Sequence, residues 1–255
     1  MVELKTPAEI EQMRAAGQVV AAALTAVKKH ATVGSSLREL DEVAREVLRS
    51  AGAVSLFEGY QPGFANSPFS GVICTSVNDA VLHGLPSDLR LADGDLLNVD
   101  CGASLDGWCA DSATSFIVGT PRTEDLDLIE ATEQALAAGI AAAVPGNRLG
   151  DIGAAIGAVG RRAGLGTNLD FGGHGIGRRM HEEPHIPNGG HPGRGLKLRP
   201  GHVIAIEPWF WQGPGSVYVI DPDGWTLRSA DQTRGAHAEH TVAVTPTGPE
   251  ILTAR

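Results

Sequence analysis

The order of secondary-structure signals runs through this chain twice, and that recurrence restricts the fold more than any compositional figure. Thr6-Pro7-Ala8-Glu9 reads as a capping box with proline at the first helical position, and apolar residues continue at helical spacing through Val27. A second box, Ser36-Leu37-Arg38-Glu39, opens a helix that should stop at Gly52. Gly59 to Ser70 mixes glycines, prolines and aromatics as an irregular loop, followed by a strand at Val72 to Ser76. Strand-like runs at Asp95 to Asp100 and Trp108 to Val118 flank a turn at Ser104-Leu105-Asp106-Gly107 and form a β-hairpin. The pattern then restarts, with helices over about Thr123 to Val144 and Asp151 to Gly164, and strands near Val203 to Trp211, Ser216 to Ile220 and Ala236 to Val244. Only the element order repeats, not the residues. Helices on one side of a mostly antiparallel sheet predict an α+β fold of two related halves around a cleft, with no linker inside residues 1–255.

At 255 residues the chain can bury most of its apolar surface without covalent staples. Its three cysteines, Cys74, Cys101 and Cys109, form no CxxC pair, which fits a reducing compartment. The opening residues Met1 to Thr6 lack the basic-then-apolar order of a signal peptide, and the longest apolar stretch, Val19 to Val27, is too short to span a bilayer. A cytoplasmic protein with no membrane partner is expected. The net charge of −10, with no basic stripe, argues against nucleic acid as a partner.

Centring the hairpin between Leu105 and Asp106 opposes Asp100 directly to Asp111, with Cβ atoms about 4.5 to 5.5 Å apart on one face. Two carboxylates so placed repel unless a cation lies between them or one is protonated. A pair of metal ions about 3.5 to 4 Å apart would resolve the conflict; a one-residue bulge that separates the two would also do so. The same centring puts Cys109 on the aspartate face and Cys101 on the other, so no disulfide is expected between them.

Of the nine histidines, His174 is wrapped in glycines within Gly172 to Gly177, which permits close approach of a bound group but also suits a flexible turn. Glu207 ends the apolar run Val203-Ile204-Ala205-Ile206, and Glu239 begins the run that leads to Val244. A charge there is unfavourable unless coordinated, although either glutamate alone could be a strand-edge residue that discourages aggregation. Two aspartates, one histidine and two glutamates make an oxygen-rich set that suits Mn, Co, Fe or Zn better than a thiolate site would.

Further segments extend the pattern: Cys74-Thr75-Ser76-Val77-Asn78, His83-Gly84-Leu85-Pro86, Asn98-Val99-Asp100, Asp106-Gly107-Trp108 through Asp111, His174-Gly175-Ile176-Gly177, His181-Glu182-Glu183-Pro184, Ile206-Glu207-Pro208 and Glu239-His240-Thr241. In these segments and their order the chain resembles the methionine aminopeptidases, in the shorter type I form of the pita-bread fold, over nearly its whole length. The resemblance implies one metallopeptidase domain, residues 1–255, with two divalent ions (Co, Mn, Fe or Zn). Asp100 would bind one ion, His174 and Glu207 the other, and Asp111 and Glu239 both. It further implies that Glu207, His181 and His83 are catalytic. His83 and His181 would contact the substrate, whose methionine side chain would meet Tyr60, Cys74, Met180 and Trp225. Met180 departs from the family pattern, since an aromatic is common there, and the loop from Gln61 to Ser70 looks longer than usual.

The implied activity is co-translational removal of N-terminal methionine from nascent proteins, by attack of metal-activated water, with a small second residue preferred. Such work would bring in the ribosome as a partner, although Lys28-Lys29 and Arg178-Arg179 do not amount to a basic patch; a monomer is the expected working unit. Two other readings share the scaffold: an Xaa-Pro aminopeptidase, whose relatives usually carry an additional N-terminal domain, and a catalytically silent binding protein, which would generally have lost ligands.

Overall fold

Both capping boxes close in the computed structural model, which describes residues 2–255. The Thr6 N–H donates to Glu9 Oε2 at 2.8 Å and the Glu9 N–H to Thr6 Oγ1 at 3.3 Å, opening α1 (Pro7–His30), which continues past the expected Val27. Ser36 and Glu39 exchange the same pair of bonds to open α2 (Leu37–Ser50). The first half continues with β1 (Val54–Ser55), β2 (Cys74–Val77), β3 (Ala80–Leu82), β4 (Asp95–Leu105) and β5 (Trp108–Val118). The second half repeats the order with α3 (Thr123–Ala142), α4 (Leu149–Ala163), β6 (Gly173–Gly175), β7 (Glu182–Ile186), β8 (Val203–Ile206) and β9 (Trp209–Trp211). It ends with β10 (Tyr218–Ile220), β11 (Leu227–Ser229), β12 (Gly235–His237), β13 (His240–Thr245) and β14 (Gly248–Ile251). Asp151, expected to begin α4, lies inside its first turn, where Oδ2 accepts the Arg148 N–H at 2.7 Å.

Every strand pairing among the described residues is antiparallel, in agreement with the α+β expectation. Each half has its own core. Val20, Leu24, Val27, Leu40 and Leu48 from α1 and α2 cluster with Leu97, Val99 and Ala103 of β4, while Leu128, Leu136, Ile152 and Ile156 from α3 and α4 cluster with Ile204, Ile206, Phe210 and Val242. Each fully buried leucine or isoleucine contributes roughly 1.5 to 3 kcal/mol relative to exposure, so both helix pairs are anchored to their strands by burial. No helix of the described residues is long and apolar enough to cross a membrane.

The hairpin forms with a different centre from the expected one. Leu105 pairs with Trp108 around a two-residue turn in which Asp106 has φ 52° and Gly107 φ 78°, the left-handed pair that a type I′ turn requires. Asp111 therefore faces Gly102, and Asp100 faces Ala113. The shift is two residues, which preserves strand parity, so the two aspartates stay on one face as diagonal neighbours. Gly102 is required there: a Cβ would come within 3.2 Å of both Asp111 carboxylate oxygens and 2.8 Å of the Phe57 ring. All three cysteines are free and buried.

Two expected strands are each broken in the middle. Val203 to Trp211 divides at Glu207-Pro208, where proline cannot donate to a ladder, and Ala236 to Val244 divides at Ala238-Glu239. The breaks face each other, because β8 pairs with β13, β9 pairs with β12, and the Ala238 N–H donates to Pro208 O at 3.1 Å.

Hydroxyl side chains join the halves where β5 meets the last strands. Thr241 Oγ1 accepts the Asp111 N–H at 2.9 Å and donates to Asp111 O at 2.8 Å. Ser112 Oγ donates to Glu239 O at 2.6 Å, and Ser115 Oγ accepts the His237 N–H and donates to His237 O at 3.0 and 2.8 Å. Thr241 is fully buried, so Thr241→Val keeps the shape and strands the Asp111 amide. The variant should lose about 1 to 3 kcal/mol of stability in urea unfolding; an unchanged midpoint and slope would show that this hydroxyl does not hold the seam.

Candidate active site

The seam and the two strand breaks bring the acidic side chains together. Asp100 and Asp111 come from β4 and β5, Glu207 from the break after β8, Glu239 from the break before β13 and His174 from β6, and all five line one cavity of about 320 Å³. His174 is not in a flexible turn. Its strand pairs with β7 and β8, and a Cβ on Gly173 would lie 2.2 Å from Ala205 O, as would one on Gly175 from Glu183 O. Glycine is needed at both positions for this close approach. His174 Nδ1 donates to Gly175 O at 2.9 Å, which turns Nε2 toward Glu207 Oε1, 3.6 Å away. The Asn188 side chain donates to Glu207 O at 3.0 Å and holds the backbone at the break.

Donor atoms of Asp111, His174 and Glu239 lie within 4.8 Å of one another, as do those of Asp100, His237 and Glu239. The two triplets share Glu239. Burial pushes Asp111 up to about 7; burial and the Asp111 charge push Glu207 up to about 8. Asp100 and Glu239 are raised well above the ordinary carboxylate range by burial first and by the neighbouring acids second. Burial lowers His174 to about 3 and His83 to about 4, which leaves both as neutral imidazoles. Asp100 Oδ1, Asp111 Oδ1 and Glu239 Oε1 are buried without any hydrogen-bond partner. Orphaned oxygens on a crowded acidic site, beside a neutral imidazole, are what a divalent cation requires of its ligands. The residues fit a metal centre.

The expected substrate residues line the same cavity: His83, His181, Tyr60, Cys74, Met180 and Trp225. The Tyr60 hydroxyl lies 3.1 Å from His181 Nδ1, and the His181 ring centre lies 4.4 Å from that of His174. Cys74 pairs with Asp100 across β2 and β4, so the apolar floor abuts the acids. Met180 and Trp225 pack there with Phe57, Phe69 and Cys74. Phe64, Phe171, His185 and His237 were absent from the sequence reading. Phe64 stacks on His83 with centroids 6.2 Å apart and meets the Trp225 ring edge to face, while Phe171 meets His83 edge to face at 5.4 Å. Phe64 sits in the irregular loop and carried no periodic signal. His237 stands two residues before Glu239, a strand spacing that could have flagged it.

The profile of metallopeptidase family M24 matches residues 11–246. "Methionine aminopeptidase 1" of Mycobacterium tuberculosis is 49% identical over 260 residues, covering 99% of this chain and 95% of that protein. "Methionine aminopeptidase 1" of Bacillus subtilis is 40% identical, with 99% of each chain covered. The crystal structure of a methionine aminopeptidase from Thermotoga maritima aligns over 100% of both chains with a TM-score of 0.95 at 38% identity. A prolidase from Pyrococcus furiosus shares the fold, with a TM-score of 0.78 at 24% identity; the alignment covers 99% of this chain and 65% of the prolidase.

The raised carboxyls give the metal-free protein a distinct pH response. A group whose folded pKa is raised contributes stability that is fully present below its unfolded pKa and lost as pH rises through the folded value. The buried histidines, with lowered pKa, contribute the opposite slope, which fades as pH rises past about 6.5 and unfolded histidine gives up its proton. As that opposing slope fades between about pH 6.5 and 8 the carboxyls dominate, with Asp111 at about 7 and Glu207 at about 8. Chelator-treated protein should therefore lose stability as pH rises across that window, and excess Mn(II) should reverse the trend because metal affinity grows as ligands deprotonate. Thermal unfolding with and without Mn(II) checks this; the same pH slope in both would count against a metal centre.

Proposed function

The chain belongs to metallopeptidase family M24, among its methionine aminopeptidases, and on that premise we propose how its residues carry the reaction. The enzyme is a metal-dependent aminopeptidase that removes N-terminal methionine from peptides and proteins. The observation that carries the residue assignments is the convergence of five donors beside an apolar pocket in one cavity. Residues 1–255 act as a single metallopeptidase domain, because donors come from both halves.

In this reading the centre holds two divalent ions, drawn from Co, Mn, Fe or Zn. Asp100 would serve one, His174 and Glu207 the other, and Asp111 and Glu239 both; Glu239 is common to the two donor triplets, which supports it as a shared ligand. When bound, the ions lower the pKa of water and polarise the scissile carbonyl. Glu207 accepts the proton of the attacking water and delivers it to the leaving amine. With the Tyr60 hydroxyl donating to Nδ1, His181 keeps its proton on Nε2 and offers it to the carbonyl oxygen as negative charge develops. His83, held against Phe64, contacts the peptide beside the reacting bond. Tyr60, Cys74, Met180 and Trp225 receive the methionine side chain, with Phe57, Phe64 and Phe69 completing the wall. The proposal extends to nascent chains in the cytoplasm with a small second residue, so the ribosome would present the substrate and a monomer would suffice.

The Xaa-Pro reading rests on fold likeness alone, and the silent-scaffold reading meets an intact donor set. Methionine release from Met-Ala and Met-Gly peptides, with Xaa-Pro peptides in parallel and Co(II) or Mn(II) supplied, separates the three. Preference for Xaa-Pro moves the substrate assignment, and no activity with any divalent metal removes the enzyme. Glu207→Gln replaces a carboxyl that burial already holds toward its neutral form. The fold should survive while turnover falls by about 100-fold or more; near-normal turnover would refute the proton-carrier role.

A further inference from the structure

One buried histidine is unused by the chemistry above. His237, at the end of β12, is 1% exposed, and neither ring nitrogen has a hydrogen-bond partner. Its backbone is fixed on both sides, since the N–H and carbonyl bond Ser115 Oγ at 3.0 and 2.8 Å and the residue pairs with Trp209 in β9. The ring cannot turn away to solvent. Nε2 faces the acids, 4.0 Å from Glu207 Oε2 and 4.0 Å from Glu239 Oε2. A ring nitrogen of His237 also lies within 4.8 Å of an Asp100 carboxylate oxygen.

A buried imidazole without partners is unfavourable in a folded core, and selection of its packing alone would favour an apolar side chain. Among carboxylates it has two uses: to donate a proton to one of them, or to present a lone pair to a cation that they hold. The second use meets an asymmetry in the donor set. His174 gives a nitrogen to the cation that it shares with Glu207, whereas the cation beside Asp100 otherwise has only carboxylate oxygens. His237, Asp100 and Glu239 form the second triplet.

We propose that His237 is a further metal ligand, giving an imidazole nitrogen to the cation that Asp100 and Glu239 hold. This rests on the metal assignment of the preceding subsection. Each cation then has one imidazole, and the added nitrogen moves the Asp100 position away from the purely oxygen donors that suit Mg or Ca and toward Co, Fe or Zn.

The test uses Mn(II) alone as the probe, with the whole chain as wild type, His174→Ala, His237→Ala and the double variant. Electron spin echo spectra of Mn(II)-loaded His174→Ala should still show a directly coordinated nitrogen, and the double variant should lose it. Calorimetric titration should show His237→Ala binding one of two Mn(II) ions about tenfold or more weakly, with the other unchanged. His237→Gln, which preserves bulk and polarity, replaces the alanine variant if circular dichroism shows that the latter does not fold. A His174→Ala protein that binds Mn(II) with no coordinated nitrogen overturns the proposal, as does wild-type affinity for both ions in the His237 variants. Wild-type protein that binds no Mn(II) instead overturns the metal assignment beneath it, an outcome that no His237 variant can produce on its own.

Discussion

Four carboxyl groups withdrawn from water around one cavity are the constraint to which the rest of this structure answers. At separations near 4 Å, two ionised carboxylates repel by about 4 kcal/mol even at an effective dielectric constant of 20. Asp100, Asp111, Glu207 and Glu239 cannot all be charged there without help. Protons supply that help in the metal-free protein: burial raises all four groups, and neighbouring acids raise Asp100, Glu207 and Glu239 further. In the proposed metal-loaded enzyme cations would supply it. The same arrangement is therefore a liability without metal and a ligand set with it, and stability and function are linked through one equilibrium.

Maintaining that crowding takes backbone that does not move. Regular ladder hydrogen bonds end where the acids must enter: β8 and β9 part at Glu207-Pro208, and β12 and β13 part at Ala238-Glu239. Freed backbone groups there are taken up mostly by side chains. Asn188 holds Glu207 O, Thr241 bonds both sides of Asp111, Ser112 holds Glu239 O, and the Glu239 N–H donates to Ala113 O at 3.1 Å. The hydroxyls imitate peptide groups, so the first half's hairpin and the second half's strands behave as neighbours without a regular ladder between them. If the halves slid past one another, Asp111 and Glu239 would separate and the ion position proposed between them would be lost.

Much of this was legible in the chain because it depends on local rules. Capping boxes at Thr6 and Ser36 located two helices, and Asp106-Gly107 announced a hairpin. The hairpin centre was misplaced because four turn residues admit two centres, and only the left-handed φ of Asp106 and Gly107 selects the shorter turn. Parity rescued the chemical conclusion, since a shift of two leaves each side chain on its face. The strand breaks were hidden because Val203 to Trp211 reads as one apolar run, and proline marks an interruption only when its neighbours' pairing is known. Asn188, Phe64 and Phe171 escaped for another reason: each acts through a contact far away in sequence. Resemblance supplied what periodicity could not, namely which of nine histidines to expect at the site, yet the segments that carry it do not include His237, whose proposed role follows from what surrounds it.

Donors and substrate-contacting groups are held by different means, and the difference fits their tasks. The metal-facing side chains stand on strands or at clamped breaks, where small displacements are resisted by paired backbone. Tyr60 and Phe64 stand on an irregular loop, tied by the Gly59 N–H to Phe69 O, the Phe69 N–H to Tyr60 O and the Trp225 indole N–H to Ser67 O. His181 and Met180 stand on a loop stapled by Glu182, which accepts the Arg178 and Arg179 N–H groups and pairs with buried Lys5 at 2.7 Å. Lys5 belongs to the segment ahead of α1, so that segment anchors the loop that carries Met180 and His181. Loops with a few strong anchors can adjust to a peptide's side chain while keeping His181 close to His174. A rigid centre with an adjustable wall would let the pocket sequence, Met180 included, vary without disturbing the acids proposed to hold the ions.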